Sequence, residues 1–224
     1  MQLLSIISKN DIHFLYQPIY DLDTNEVVGT EALMRGPDGI KPGYIFEEAK
    51  KLGFYRELDY LCLLKGMEAA PPIPRLFINV HPLTLLLLLK SGKVGELKTL
   101  CPPEMVTLEL VETENVKGYL SELVNTVNEL KKLGYSVAID DISSGFERLL
   151  LVSLLKPEYI KLDRPLIKNL DCRINQVIVK NLLNMARELD AAIIAEGIET
   201  KDDLTMVKEL GVRFGQGYLL GKPS

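Results

Sequence analysis

Two adjacent carboxylates, Asp140 and Asp141, end the apolar run Tyr135-Ser136-Val137-Ala138-Ile139. At the mouth of a buried strand such a pair is costly unless a cation or hydrogen-bond donors offset its mutual repulsion and its loss of water. The pattern recurs along the chain. Glu31 lies near the end of the run 26–34, Asn79 near the end of 75–80 and Glu109 near the end of 105–110, while Lys161 and Asp163 close 159–162 and Glu196 follows 192–195. Taken singly, Glu31 would serve as a helix cap, Asn79 would satisfy a turn and Glu109 would pair with a lysine. Together, at successive strand ends, they point to one site. The five carboxylates Glu31, Glu109, Asp140, Asp141 and Glu196 with the Asn79 amide form an all-oxygen ligand set that favours Mg²⁺ or Mn²⁺, with Ca²⁺ as a substitute or inhibitor. Mg²⁺ keeps several of its waters, so six protein ligands imply two ions, an arrangement that activates a water and stabilises a leaving oxygen in phosphoester hydrolysis. The only histidines, His13 and His81, have no Cys or His beside them, which argues against an imidazole-bound zinc.

The elements that must position these residues follow from the apolar periodicity. Residues 12–20 and 26–34 read as strands joined by the turn sequence 21–25, hence as an antiparallel hairpin. One broken helix or two follow over 44–64, stopped by Pro71, Pro72 and Pro74. Strands are then expected at 75–80, 105–110, 136–140, 159–162, 192–195 and 214–219. Between them lie helices at 83–89, 120–133, 149–154, 173–189 and around 204–210, with Gly134 and Gly211 as C-terminal stops. Alternation at this spacing implies parallel pairing through right-handed crossovers. Seven parallel strands and one antiparallel partner make an α/β fold of the TIM (β/α)₈ barrel type, whose reactive groups gather at the C-terminal strand ends. The competing doubly wound sheet normally carries a Gly-rich phosphate loop after its first strand, and none is present. No repeat or linker breaks the chain, so residues 1–224 read as one domain, with a short N-terminal helix over 1–11 and no separate sensor or cyclase domain.

Composition narrows the partners. With 47% hydrophobic and 25% charged residues the chain can bury a sizeable core. A net charge of −5 without any Lys/Arg cluster argues against a nucleic-acid polymer as partner. The run 83–89 falls far short of the ~20 apolar residues that cross a bilayer, so it reads as a buried helix. Cys62, Cys101 and Cys172 are odd in number and far apart, which supports no disulfide framework and fits a cytoplasmic location.

Glu31-Ala32-Leu33 followed by Arg35 resembles the signature of the EAL-domain cyclic di-GMP phosphodiesterases. It stands in order with Tyr16-Gln17-Pro18-Ile19, Asn79, Glu109-Leu110-Val111-Glu112, Asp140-Asp141, Lys161-Leu162-Asp163, Glu196-Gly197-Ile198-Glu199 and Gln216-Gly217-Tyr218. The resemblance implies hydrolysis of cyclic di-GMP to linear pGpG by a homodimer. It places Glu31, Asn79, Glu109 and Asp140 on a first metal, and Asp140, Asp141 and Glu196 around a second. It makes Lys161 the residue that holds or helps deprotonate water, and assigns substrate contacts to Gln17, Leu33, Arg35, Asp163 and Gln216. Glu112, and Glu199 in a similar way, would anchor the loop after Asp141. In that loop the family pattern Asp-Asp-Phe-Gly-Thr-Gly-Tyr-Ser-Ser is replaced by Asp140-Asp141-Ile142-Ser143-Ser144-Gly145-Phe146-Glu147-Arg148. Loss of the aromatic and of the first glycine alters packing and backbone freedom there. The alternative reading is therefore a catalytically impaired cyclic di-GMP receptor.

Overall fold

The computed structural model describes residues 12–111 and 118–224. The N-terminal helix expected over 1–11 and the side chain of Glu112 lie outside the described residues. Eight strands close into a barrel in sequence order: β1 (His13–Asp21), β2 (Glu26–Arg35), β3 (Leu76–Val80), β4 (Val106–Leu110), β5 (Ser136–Ile139), β6 (Tyr159–Leu162), β7 (Ala192–Ala195) and β8 (Phe214–Gly215). β1 is antiparallel to both β2 and β8, and every other neighbouring pair is parallel.

The outer layer holds α1 (Pro42–Leu52), α2 (Tyr55–Glu68), α3 (Pro82–Lys90), α4 (Val94–Leu100), α5 (Leu120–Lys132), α6 (Phe146–Leu155), α7 (Arg164–Lys168), α8 (Arg173–Glu188) and α9 (Lys201–Glu209). The expected helix over 44–64 is two helices, because Gly53 takes a left-handed φ of 77° and closes α1. The leucine run lies in α3, where Leu85, Leu86 and Leu88 are buried. α4 and α7, of seven and five residues, give no sequence signal of their own, being too short to develop a periodic stripe.

Strands buried on both faces carry apolar residues toward the helices, and the register decides what faces inward. Gln17 pairs with Glu31, Glu31 with Phe77, Asn79 with Glu109 and Lys161 with Ile194. Side chains directly opposite one another share a face, so these residues line the barrel interior. The interior also holds the apolar layer Ile19, Phe77 and Ile194, while Ile160 and Leu162, flanking Lys161, join the helix-facing core.

Two strand ends differ from expectation. β2 runs on to Arg35 because its hairpin partner continues to His13, which leaves Glu31 inside the strand rather than near its end. β8 stops at Gly215 instead of continuing to residue 219. Gly217 passes so close to Ile198 that a Cβ there would stand 2.1 Å from the Ile198 carbonyl oxygen, and the chain turns through a Gly221 N–H to Gly217 O bond of 2.9 Å.

Candidate active site

Lys161 is the side chain around which the interior carboxylates gather. It is fully buried, and its Nζ lies 3.1 Å from Glu31 Oε2, 2.8 Å from Glu109 Oε1 and 2.5 Å from Glu196 Oε1. Burial disfavours the ammonium, yet the charges of Glu109, Glu196 and Glu31 hold its pKa well above the ordinary lysine value. Glu31 also accepts from Gln216 Nε2 at 2.8 Å and from Asn79 Nδ2 at 3.2 Å. Burial works against its carboxylate, but Lys161, Gln216 and Asn79 outweigh it and keep the pKa below the usual range.

Glu109 is the opposite case. It is fully buried, Lys161 approaches one oxygen without the alignment of a hydrogen bond, and its Oε2 has no hydrogen-bond partner among the described residues. Burial raises its pKa well above the ordinary value. Glu196 is pushed up to about 8, mainly by burial, with Lys161 opposing and Asp140 adding to the rise.

Asp140, Asp141 and Glu196 bring carboxylate oxygens within 4.8 Å of one another. Asp141 holds a left-handed backbone, φ 50° and ψ 52°, and its N–H donates to Asp140 Oδ1 at 2.9 Å. A non-glycine residue with such a backbone is sparsely populated and clusters at functional sites. With all five ionised, Glu31, Glu109, Glu196, Asp140 and Asp141 against one ammonium would leave four negative charges, which two divalent cations would offset. The orphaned Oε2 of Glu109 and the all-oxygen donor set both fit hard cations.

An open cavity of about 280 Å³ adjoins this cluster, walled by Gln17, Glu31, Asp140, Glu196 and Gln216 among the expected residues. Glu199 is also on the wall, where it pairs with Arg164 at 2.7 Å and Lys168 at 2.7 Å. Asp163 lies at the start of α7 with a buried Oδ1 that has no hydrogen-bond partner among the described residues. Leu33 and Arg35 are not on this wall, and Arg35 Nη1 donates to the neighbouring Met34 carbonyl at 2.9 Å. Arg164 and Tyr218 are on it without any sequence expectation of substrate contact, although Tyr218 closes the quoted motif Gln216-Gly217-Tyr218 and Arg164 follows the motif residue Asp163.

A model of the EAL domain matches residues 2–223. The chain belongs to the EAL family. Among curated relatives of this EAL chain, "Probable cyclic di-GMP phosphodiesterase PdeA" of Escherichia coli K12 is 30% identical over 153 residues, covering 67% of the chain and 21% of the relative. "Probable cyclic di-GMP phosphodiesterase PdeB" of the same organism is 27% identical, covering 99% of the chain and 44% of the relative. The chain thus spans less than half the length of either. Among solved structures, the PaMucR phosphodiesterase in complex with c-di-GMP superposes with a TM-score of 0.84 at 25% identity, covering 100% of the chain and 97% of that structure. Klebsiella pneumoniae BlrP1, solved as a manganese/cy-diGMP complex, gives 0.84 at 26% identity, covering 95% of the chain and 56% of that one.

The divergent loop of this EAL chain is anchored at its two ends, Ile142 and Arg148, while Ser143, Gly145, Phe146 and Glu147 between them are exposed. Ile142–Ser144 forms a 3₁₀ turn, Ile142 is buried in the main core, and Arg148 is 5% exposed. Arg148 Nη1 donates to the carbonyls of Leu110 at 3.2 Å and Val111 at 3.4 Å, tying α6 to the end of β4 beside Glu109.

Proposed function

We propose that this EAL chain is a metal-dependent phosphodiesterase that hydrolyses cyclic di-GMP to linear pGpG. The observation that carries the reading is the excess of buried carboxylate around Lys161, above all the Glu109 Oε2 that has no hydrogen-bond partner among the described residues, next to a cavity with cationic and aromatic walls. Glu31, Asn79, Glu109 and Asp140 would hold one Mg²⁺ or Mn²⁺, and Asp140, Asp141 and Glu196 a second. Two such cations supply a water of lowered pKa and offset charge on the phosphodiester.

The chain's own residues do the rest. Lys161 Nζ, buried at the floor of the open cavity, would hold the attacking water or, where two nearby cations disfavour its ammonium, help to deprotonate it. The water oxygen bonds to phosphorus, the bond from phosphorus to the 3′ oxygen breaks, and the proton ends on that oxygen. Arg164 offers a guanidinium to a phosphate, and the exposed ring of Tyr218 a face to a guanine. Gln216, Asp163, Arg35, Leu33 and Gln17 complete the proposed substrate shell, with Glu112 and Glu199 steadying the loops around it.

The test is incubation of the purified chain with cyclic di-GMP and Mn²⁺ or Mg²⁺, with separation of the nucleotides. Appearance of pGpG, abolished by chelator, is expected. Tight binding without product would favour the receptor reading, which the altered loop 142–148 supports, and no binding would sink both. We place the protein in the cytoplasm, in keeping with its free Cys62, Cys101 and Cys172. We propose a homodimer, supported by exposed apolar side chains such as Phe146 on α6, 79% exposed. A monomer in sedimentation at micromolar concentration would refute it.

A further inference from the structure

Gln17 and Gln216 are both almost fully buried, and their amides are committed to one another. Gln17 Nε2 donates to the Gly221 carbonyl at 2.9 Å. A carbonyl can only accept, so this bond decides which end of the Gln17 amide faces segment 217–224. Its Oε1 then accepts from Gln216 Nε2 at 3.1 Å, and the same Nε2 donates to Glu31 Oε2 at 2.8 Å. Both functional atoms of Gln17 are used. Of the pair, only Gln216 Oε1 is left without a partner among the described residues, as a single acceptor.

The anchor of this chain of bonds is itself held from several sides. Tyr16 and Ser224 exchange backbone bonds of 2.9 and 3.3 Å, and the Leu219 N–H donates to Ile198 O at 3.1 Å. Gly221 sits against β1 so closely that a Cβ there would lie 2.5 Å from Pro18 Cγ. The carbonyl that Gln17 reads is thus fixed by backbone pairing to β1, outside the carboxylate cluster.

We propose that Gln17 and Gln216 are positioning residues for the Glu31 carboxylate, and that segment 217–224 sets them through the Gly221 carbonyl. The inference rests on the reading of Glu31 as a metal ligand. A ligating carboxylate loses affinity for its ion when the hydrogen bonds that orient it are removed, typically by 10–100-fold. On this account Gln17 governs metal affinity without touching the metal, and it acts through Gln216.

The experiment is titration calorimetry with Mn²⁺ alone, without nucleotide, on the wild type, Gln17→Leu, Gln216→Leu, the double variant and Gly221→Ala, with thermal unfolding to check that each is folded. Each single change is expected to weaken Mn²⁺ binding by about 10-fold or more. The double variant should bind no more weakly than Gln216→Leu, because Gln17 has no route to Glu31 once Gln216 is gone. Gly221→Ala should weaken binding while leaving both amides in place. Unchanged Mn²⁺ affinity in Gln17→Leu and Gly221→Ala, with only cyclic di-GMP affinity reduced, would overturn the proposal and leave the glutamines as direct readers of the nucleotide. Additive losses in the double variant would also overturn it. A wild type that binds no Mn²⁺ would remove the metal reading together with it. If Gln216→Leu does not fold, the Mn²⁺ affinities of Gln17→Leu and Gly221→Ala decide between the same two outcomes.

Discussion

Lys161 is a single cation in contact with three carboxylates, so its removal is expected to do more than slow a reaction. Taking one partner out of a buried ionic cluster costs about 3–5 kcal/mol, because the charges left behind are uncompensated. Lys161→Met should therefore unfold at lower temperature in chelator and recover much of the loss on addition of Mn²⁺, with little or no pGpG formed. Unchanged turnover at saturating metal would rule out a role for its Nζ. A second residue, Asp59, tests burial away from the site. Its carboxylate is 4% exposed and accepts from the His81 N–H at 2.9 Å, and burial pushes its pKa up to about 6. A raised carboxyl pKa means that stability is greatest below the unfolded value near 4, declines as pH rises toward 6 and stays lower above it. Asp59→Asn, which keeps the acceptor and drops the charge, should raise the Tm at pH 8 by the equivalent of up to about 3 kcal/mol and leave it unchanged near pH 4. Equal Tm differences at both pH values would contradict this.

Between elements, the connection that sets this chain apart is Arg148. Its bonds to Leu110 and Val111 fasten α6 to β4, and β4 carries Glu109 while the loop before α6 carries Asp140 and Asp141. Leaving the buried carbonyls unpaired costs about 1–3 kcal/mol. Arg148→Ala should lower stability by that amount and speed amide exchange selectively in the loop 142–148. Exchange that rises uniformly over the barrel would show that the arginine acts only on global stability. The turn after β8 makes a similar demand on backbone. Gly217 lies against Ile198 where no Cβ fits, so Gly217→Ala must displace the segment that carries Gln216, at a cost of about 1–3 kcal/mol and with loss of activity.

For the molecule as a whole, the proposed metal site would couple cation binding to folding, because it gathers carboxylates at one end of the barrel. A cation that binds only the folded state stabilises it by about 2.7 kcal/mol at one hundred times its Kd. For a domain of this size each kcal/mol moves the Tm by roughly 2–4 °C. Mn²⁺ or Mg²⁺ should thus raise the Tm by several degrees and chelator should reverse the gain. A Tm indifferent to both ions would count against the site.

By itself the sequence determined the local alternation of strand and helix, the hairpin start, the barrel, and the residue types that end the strands. Each depends on periodicity or chemistry within a few residues. What only the tertiary structure decided is who meets whom. Lys161 and Glu31 lie 130 positions apart, and Gln17 and Gly221 lie 204 apart, so their contacts exist only because β1 pairs with both β2 and β8 and closes the ring. Arg148, an added charge at the end of the divergent loop, is buried because the end of β4 presents two carbonyls that nothing in its neighbourhood of sequence announces. β8 ends early for the same reason, since the Ile198 backbone that turns it comes from another loop. Alternation fixes which face a side chain takes. Closure of the barrel, set by the register of all eight strands, brings those faces together around Lys161.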